Sequence, residues 1–194
     1  MRTRTILGAM FLSIGGFVQE PLWAQTAGGT ASHNTHCTAQ KEEIEVFADV
    51  LRVGHNQTVL VTKTATMGVD VDYVNLQLAV KGHGIPPDVR ADFKTKNKSS
   101  CLIEPFTGIP NLDFISQSEQ DQLFQEGWSE FHKKYGKNAS LVSLSRVGFN
   151  ADKTLALVHV SSAIGSMAAG GTLYLLEKKE GKWVVKSSMG TWTT

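Results

Sequence analysis

The sequence predicts an α+β fold: an antiparallel C-terminal β-meander of four or five strands packed with N-terminal and middle helices. Three observations carry this. Residues 141–189 hold four apolar or alternating segments joined by short links. Residues 39–53 repeat apolar side chains at helical spacing. The 194-residue chain is 41% hydrophobic and 19% charged, the composition of an ordinary globular domain.

The elements follow in order. Ile44, Phe47, Ala48 and Leu51 stand at i, i+3, i+4 and i+7, with Lys41, Glu42, Glu45, Asp49 and Arg52 on the opposite face. This predicts an amphipathic helix over 39–53 that ends near Gly54, with Glu42 and Glu43 suiting its dipole. Residues 58–62 are short and β-branched and read as a strand. Residues 69–80 fit both periods, and periodicity leaves helix and strand open. Pro86-Pro87-Asp88 opens a predicted surface helix to residue 96. Ser116 and Glu119 form a capping-box pattern. Beyond it Phe124, Trp128, Phe131 and Tyr135 share one helical face, and Gly127 can split the segment in two. Such a stripe reads as sheet-covering core ahead of an aromatic recognition surface.

Four strands are predicted at 141–149, 154–161, 172–178 and 183–189. The second is apolar on both faces, which predicts a central strand. Residues 164–171 read as a longer, Gly-rich loop.

Arg2 and Arg4, the apolar run 6–18 and the small residues ending at Ala24 have the order of a secretory signal peptide. The run is too short for a comfortable membrane span of about 20 residues. The predicted organisation is a signal peptide over 1–24, a flexible leader over 25–38 and one α+β domain over 39–194. Lys+Arg 19 against Asp+Glu 18 gives +1. Two basic residues and one acidic residue lie in the predicted signal peptide, so the exported chain is formally neutral. Nothing in the balance draws it to nucleic acid.

Both cysteines, Cys37 and Cys101, lie beyond the predicted cleavage point. In an oxidising compartment an even pair reads as a disulfide, with free thiols as the alternative. Three glycosylation sequons start at Asn56, Asn97 and Asn138.

Chemistry is thinly signalled. His33, His36 and Cys37 have metal-ligand spacing but lie beside the leader and compete with the disulfide, so no metal site is predicted. His55, His83 and His132 read as solvated, and His159 as a hydrogen-bonded core residue ahead of an acid/base group. No nucleophile elbow is present, and a Cys101 nucleophile would need a free thiolate. Residues 165–171 lack the Lys-Ser/Thr of a phosphate loop. Glu104, Asp113, Glu119 and Asp121 could supply facing carboxylates. The basic run Arg90, Lys94, Lys96 and Lys98 reads as a solvated face. The catalytic residues are unknown at this level, and no cofactor is predicted.

Leu144-Ser-Arg-Val-Gly-Phe-Asn150, Ala156-Leu-Val158, Gly170-Gly-Thr-Leu-Tyr-Leu-Leu176, Gly181-Lys-Trp-Val-Val185 and Trp192 together resemble the C-terminal signature of a family of uncharacterised exported bacterial proteins. Phe93 with Asn97, and Trp128, Phe131 and Tyr135, are similar to its weaker positions. The resemblance implies no activity, cofactor or catalytic residue, and leans residues 69–80 towards helix. The closing Gly-Lys-Trp-Val-Val strand also suggests, by analogy, a nuclear-transport-factor-like cone as a variant of the fold.

The expectation is an exported, non-enzymatic binding or accessory domain of the bacterial cell envelope, periplasmic or extracellular. Its partner would be an envelope protein or a small ligand. The alternatives are a hydrolase using acidic residues in a helix–sheet cleft, and an inhibitor or interaction module using the 165–171 loop and the aromatic stripe.

Overall fold

A computed structural model describes residues 37–52, 57–66 and 68–194. The predicted signal peptide, most of the predicted leader, and the residues His33, His36, His55 and Asn56 lie outside the described residues.

Helix α1 (Lys41–Leu51) begins where the Glu43 carboxylate accepts the Gln40 backbone N–H at 3.0 Å. Strand β1 (Thr58–Val61) follows, then α2 (Val71–Val80), capped by Asp70, whose side chain accepts from the Asp72 and Tyr73 amides. The ambiguous segment is thus helical. Asp70 satisfies two free N–H groups of the first turn, a signal that hydrophobic period does not carry. Helix α3 (Pro87–Lys96) has Pro at its start, as expected. It is less peripheral than predicted, because Val89 and Phe93 are buried.

Strand β2 (Leu112–Ile115) precedes α4 (Gln117–Gln125) and α5 (Trp128–Tyr135), which break at Gly127, where φ is 86°. The predicted strand 141–149 is interrupted. It divides into β3 (Ser140–Leu144) and the short β4 (Gly148–Phe149). Strands β5 (Leu155–Gly165), β6 (Ala168–Lys179) and β7 (Lys182–Thr193) complete the chain. The expected loop over 164–171 is mostly strand. β5 and β6 continue towards a tight connection, with Gly165 paired to Ala168. The glycines there sit in the ladder, where Gly170 and Gly171 pair with Ser162 and Ser161.

The fold is α+β, with the antiparallel strands β5–β7 at its C-terminal end. Among the described residues the sheet has seven strands in the order β2-β1-β3-β5-β6-β7, with β4 beside β5. It is larger than expected because β1 pairs in parallel with both β2 and β3. Strand β5 is central as predicted, and Ala156, Leu157 and Val158 are fully buried. The β6–β7 turn has positive φ at Glu180 (50°) and Gly181 (80°), the geometry that matches the sheet's twist in a two-residue hairpin.

Alternation sends each strand's side chains to two faces. On one, α1 buries Val46, Phe47, Val50 and Leu51 against Leu60, Val142, Ala156, Val158 and Leu176. On the other, α2 and α3 cover Leu157, Leu173 and Leu175, while α4 and α5 cover Val59, Val61 and Ile115. The aromatic stripe lies in this last cluster. Phe131 is fully buried, and Phe124, Trp128 and Tyr135 pack around it with ring centroids 5.2–5.7 Å away. Among the described residues no helix is long and apolar enough to cross a membrane.

Candidate functional site

The residues that carry the resemblance build the fold. Between β3 and β4 the regular strand breaks at Ser145, Arg146 and Val147; the Ser145 N–H still donates to the His159 carbonyl at 2.9 Å, but side chains take the Arg146 and Val147 amides. The Asn97 amide accepts from the Arg146 N–H at 2.8 Å and donates to the Arg146 carbonyl at 3.0 Å. The Arg146 guanidinium donates from Nε and Nη2 to the two oxygens of fully buried Glu43, at 3.1 and 2.9 Å. The Val147 N–H adds a bond to Glu43 Oε1 at 3.0 Å. A buried carboxylate is tolerated here because four donors surround it.

The remaining positions of the stretch are equally structural. A Cβ on Gly148 would lie 2.6 Å from the Phe93 backbone, so its absence lets α3 pack directly on β4. Phe149 packs on Trp183, with ring centroids 5.7 Å apart. Asn150 Oδ1 accepts from the Thr154 and Leu155 amides and closes the turn into β5. Asn97 is 7% exposed and its amide is fully engaged, so the sequon at 97 serves the fold.

Cys37 and Cys101 form a disulfide with Cα atoms 4.6 Å apart. Arg146 Nη1 donates to Cys37 Sγ at 3.3 Å, so the bridge adjoins the Glu43–Arg146 pair. Cys37 and Thr38, assigned above to the flexible leader, are held in the fold. The Leu102 N–H donates to the Cys37 carbonyl and the Ala39 N–H to the Leu102 carbonyl, each at 2.7 Å.

Among the described residues the predicted acids form no cluster of three or more that could hold a metal ion, and Glu119 instead lines a pocket with Glu126 and Glu130. Glu104, Asp113 and Asp121 are exposed. Asp113 accepts from Gln57, Asp121 accepts from Gln117, and Glu119 is ion-paired with Lys134. The basic run is also internally engaged. Arg90 and Lys94 both meet Asp72, and Lys96 meets Asp92. His83 is exposed, while the two ring nitrogens of His132 lie 3.1 Å from the Gly136 carbonyl oxygen and 3.0 Å from that of Ile164, to either of which the ring N–H can donate.

His159 is the core residue predicted. Its side chain is fully buried, with Nε2 2.8 Å from Thr191 Oγ1 and Nδ1 3.5 Å from Ser161 Oγ. Burial pushes its pKa down to about 4. Such an imidazole is neutral at pH 7 and a weak base there, which argues against Thr191 as an activated nucleophile.

A polar concavity lies elsewhere, beyond the carboxyl ends of the parallel strands. It is a cleft of about 330 Å³. Val61 and Ser143 form its floor, Lys63, Thr64, Thr66 and Ser100 one wall, and Gln117 and Gln120 of α4 the other. Binding crevices of open sheets with parallel strands characteristically occupy this end. The Thr64 wall is tied to the disulfide: the Thr64 N–H donates to the Cys101 carbonyl and the Cys101 N–H to Thr64 Oγ1, both at 2.8 Å. Lys63 is exposed and forms no ion pair among the described residues. The cleft thus presents hydroxyls, primary amides and one cation. It suits a small hydrogen-bonding ligand and contains no acid/base pair.

Reading the sequence alone missed this site. Its residues are ordinary Ser, Thr, Gln and Lys, scattered from residue 61 to residue 143. They meet only because β1 lies between β2 and β3. A row of directly paired residues, Ser143, Ser161, Gly171 and Trp192, then leads from the cleft floor across the sheet to β7. Comparison with protein-family models, curated proteins and solved structures finds no match to this chain.

Proposed function

We propose that the protein is an exported, non-enzymatic binding or accessory domain of the bacterial cell envelope, and that the cleft beyond β1 and β3 takes a small, hydroxyl-rich polar ligand. The observation that carries this reading is the cleft itself. Its hydroxyl and amide groups stand on strand ends and a helix, a rigid setting for recognition. The Cys37–Cys101 bridge supports export, because such bonds persist in oxidising compartments. Glu119 lines a pocket with Glu126 and Glu130 but is ion-paired with Lys134, while Asp113 and Asp121 accept from Gln57 and Gln117, so the predicted acids are engaged with other partners and do not favour the hydrolase alternative. The interaction module loses its flexible loop, since that segment is mostly strand.

Two measurements test the reading. Mass analysis of the exported protein is expected to give a chain starting at Gln25 with the bridge intact; an intact Met1 contradicts cleavage. A thermal-shift screen of neutral sugars, polyols, amino acids and small carboxylates is expected to raise the melting temperature for one class. The double substitution Lys63→Ala, Gln117→Ala should weaken that ligand by about tenfold or more, the scale of one to two lost hydrogen bonds. Turnover of any probe would contradict the non-enzymatic assignment.

A further inference from the structure

The end of β7 stays in the ladder, with Gly171 paired to Trp192 and Gly170 to Thr193, and one of the side chains that hold it titrates. The β6–β7 register shifts between Gly171 and Thr172, which leaves Thr191 out of the ladder. The Thr191 hydroxyl instead meets His159 Nε2 at 2.8 Å. A Cβ on Gly171 would lie 2.7 Å from His159 Nε2 and would collide with the Trp192 indole. The missing side chain therefore makes the space in which the two rings approach. Trp192 is 43% exposed whereas His159 is fully buried, so the indole and Thr191 form the outer cover of the imidazole. Beyond them, the Thr194 N–H donates to the Ala169 carbonyl at 3.0 Å and the Ala169 N–H to Thr194 Oγ1 at 3.1 Å.

We propose that residues 191–194 form an acid-released latch, in which protonation of His159 frees the end of β7, the last strand in the row of paired residues that starts at the cleft. The inference does not require the cleft to bind a ligand.

The physical basis is the absence of a counter-charge. The groups facing the imidazole are Ser161 on its own strand, Gly171 on β6, and Thr191 and Trp192 on β7. No charged side chain among the described residues acts on it, and burial alone lowers its pKa from 6.5 to about 4. A neutral imidazole sits there at no electrostatic cost, whereas an imidazolium gains solvation only if the cover lifts. The sign follows from linkage. With the strand end released, His159 regains its ordinary pKa and binds the proton more tightly than in the closed form. The closed form is therefore fully favoured above about pH 6.5 and loses its advantage as pH falls towards 4. The ceiling is on the order of 100-fold in the open-to-closed ratio.

Amide hydrogen exchange on the disulfide-bonded chain, normalised to intrinsic rates, tests this. Protection at Thr194 and Ala169 is expected to fall on the order of 100-fold between pH 7 and pH 4. Leu175 and Leu176, in the middle of β6, should keep theirs. His159→Gln retains a hydrogen-bonding side chain but cannot charge, so its Thr194 protection should not depend on pH. If that variant does not fold, the wild-type imidazole resonance gives the second reading. It should titrate well below 6.5, over the same range in which Thr194 opens. The latch is overturned if His159 titrates with Thr194 still protected, if His159→Gln keeps the wild-type pH dependence, or if Leu175 and Leu176 lose protection together with Thr194.

Discussion

Replacing Arg146 with alanine is expected to destabilise the protein by about 3–5 kcal/mol, read as a fall in the urea midpoint. The size comes from what remains behind. Glu43 is fully buried, and its carboxylate would keep only the backbone donors of Gln40 and Val147 after losing both guanidinium bonds. An unpaired buried charge is far more costly than an absent pair. The control is the double substitution Glu43→Leu, Arg146→Met, which removes both charges and fills similar volume. It should recover most of the loss. If Arg146→Ala alone costs less than about 1 kcal/mol, the Glu43–Arg146 pair does not organise the break between β3 and β4.

Removing the disulfide is the second large effect. Cys37 and Cys101 are separated by 64 residues, and closing a loop of that length constrains the unfolded chain by about 4 kcal/mol in the entropy model. Cys37→Ala, Cys101→Ala, or reduction of the wild type, should therefore lower stability by about that amount. For a domain of this size the melting temperature should fall by roughly 10 °C. The bridge also holds Cys101 where its backbone meets Thr64 in the cleft wall. Ligand-induced stabilisation should consequently weaken in the reduced protein by more than the global loss explains. A change below about 1 kcal/mol on reduction would mean that the reduced chain keeps the same constraint by other contacts.

The two effects are coupled through one atom pair, Arg146 Nη1 and Cys37 Sγ. Their combined loss should therefore not be additive, as for other contacting residues.

Much of the fold was legible because local chemistry and burial agree. Ile44, Phe47 and Leu51 mark α1, and Lys179 to Lys182 mark a hairpin, because spacing and turn residues report what those segments do. The interruption at Ser145–Val147 was not legible. It depends on Asn97 and Glu43, side chains about 50 and 100 residues earlier in the chain that take the place of strand partners. Strand β2 was hidden for a related reason: Leu112–Ile115 has four residues, one of them Asp113, and gains its identity only by pairing with β1. Residues 164–171 misled because glycine usually signals a loop. Here Gly171 stays in a strand and gives space to a tryptophan and a histidine.

The cleft was hidden in the sequence for the same physical reason. A catalytic centre of paired acids would have been visible in composition, and Glu104, Asp113, Glu119 and Asp121 supplied a candidate. Their engagement with Gln57, Gln117 and Lys134 came only from the structure. The hydroxyl and amide lining of the cleft has no sequence signature, because Ser, Thr and Gln serve equally on any solvated surface. Topology gives those residues meaning by bringing 61–66, 100, 117–120 and 143 to one end of the sheet.

The most direct test of the account is the chemical-shift map of the oxidised protein with the probe class that raises its melting temperature. The account predicts that the perturbed amides cluster at Lys63–Thr66, Ser100, Gln117 and Gln120, with the probe recovered chemically unchanged. Perturbations confined to α2, or to the distal ends of β5 and β6, would contradict it, as would conversion of the probe during the measurement.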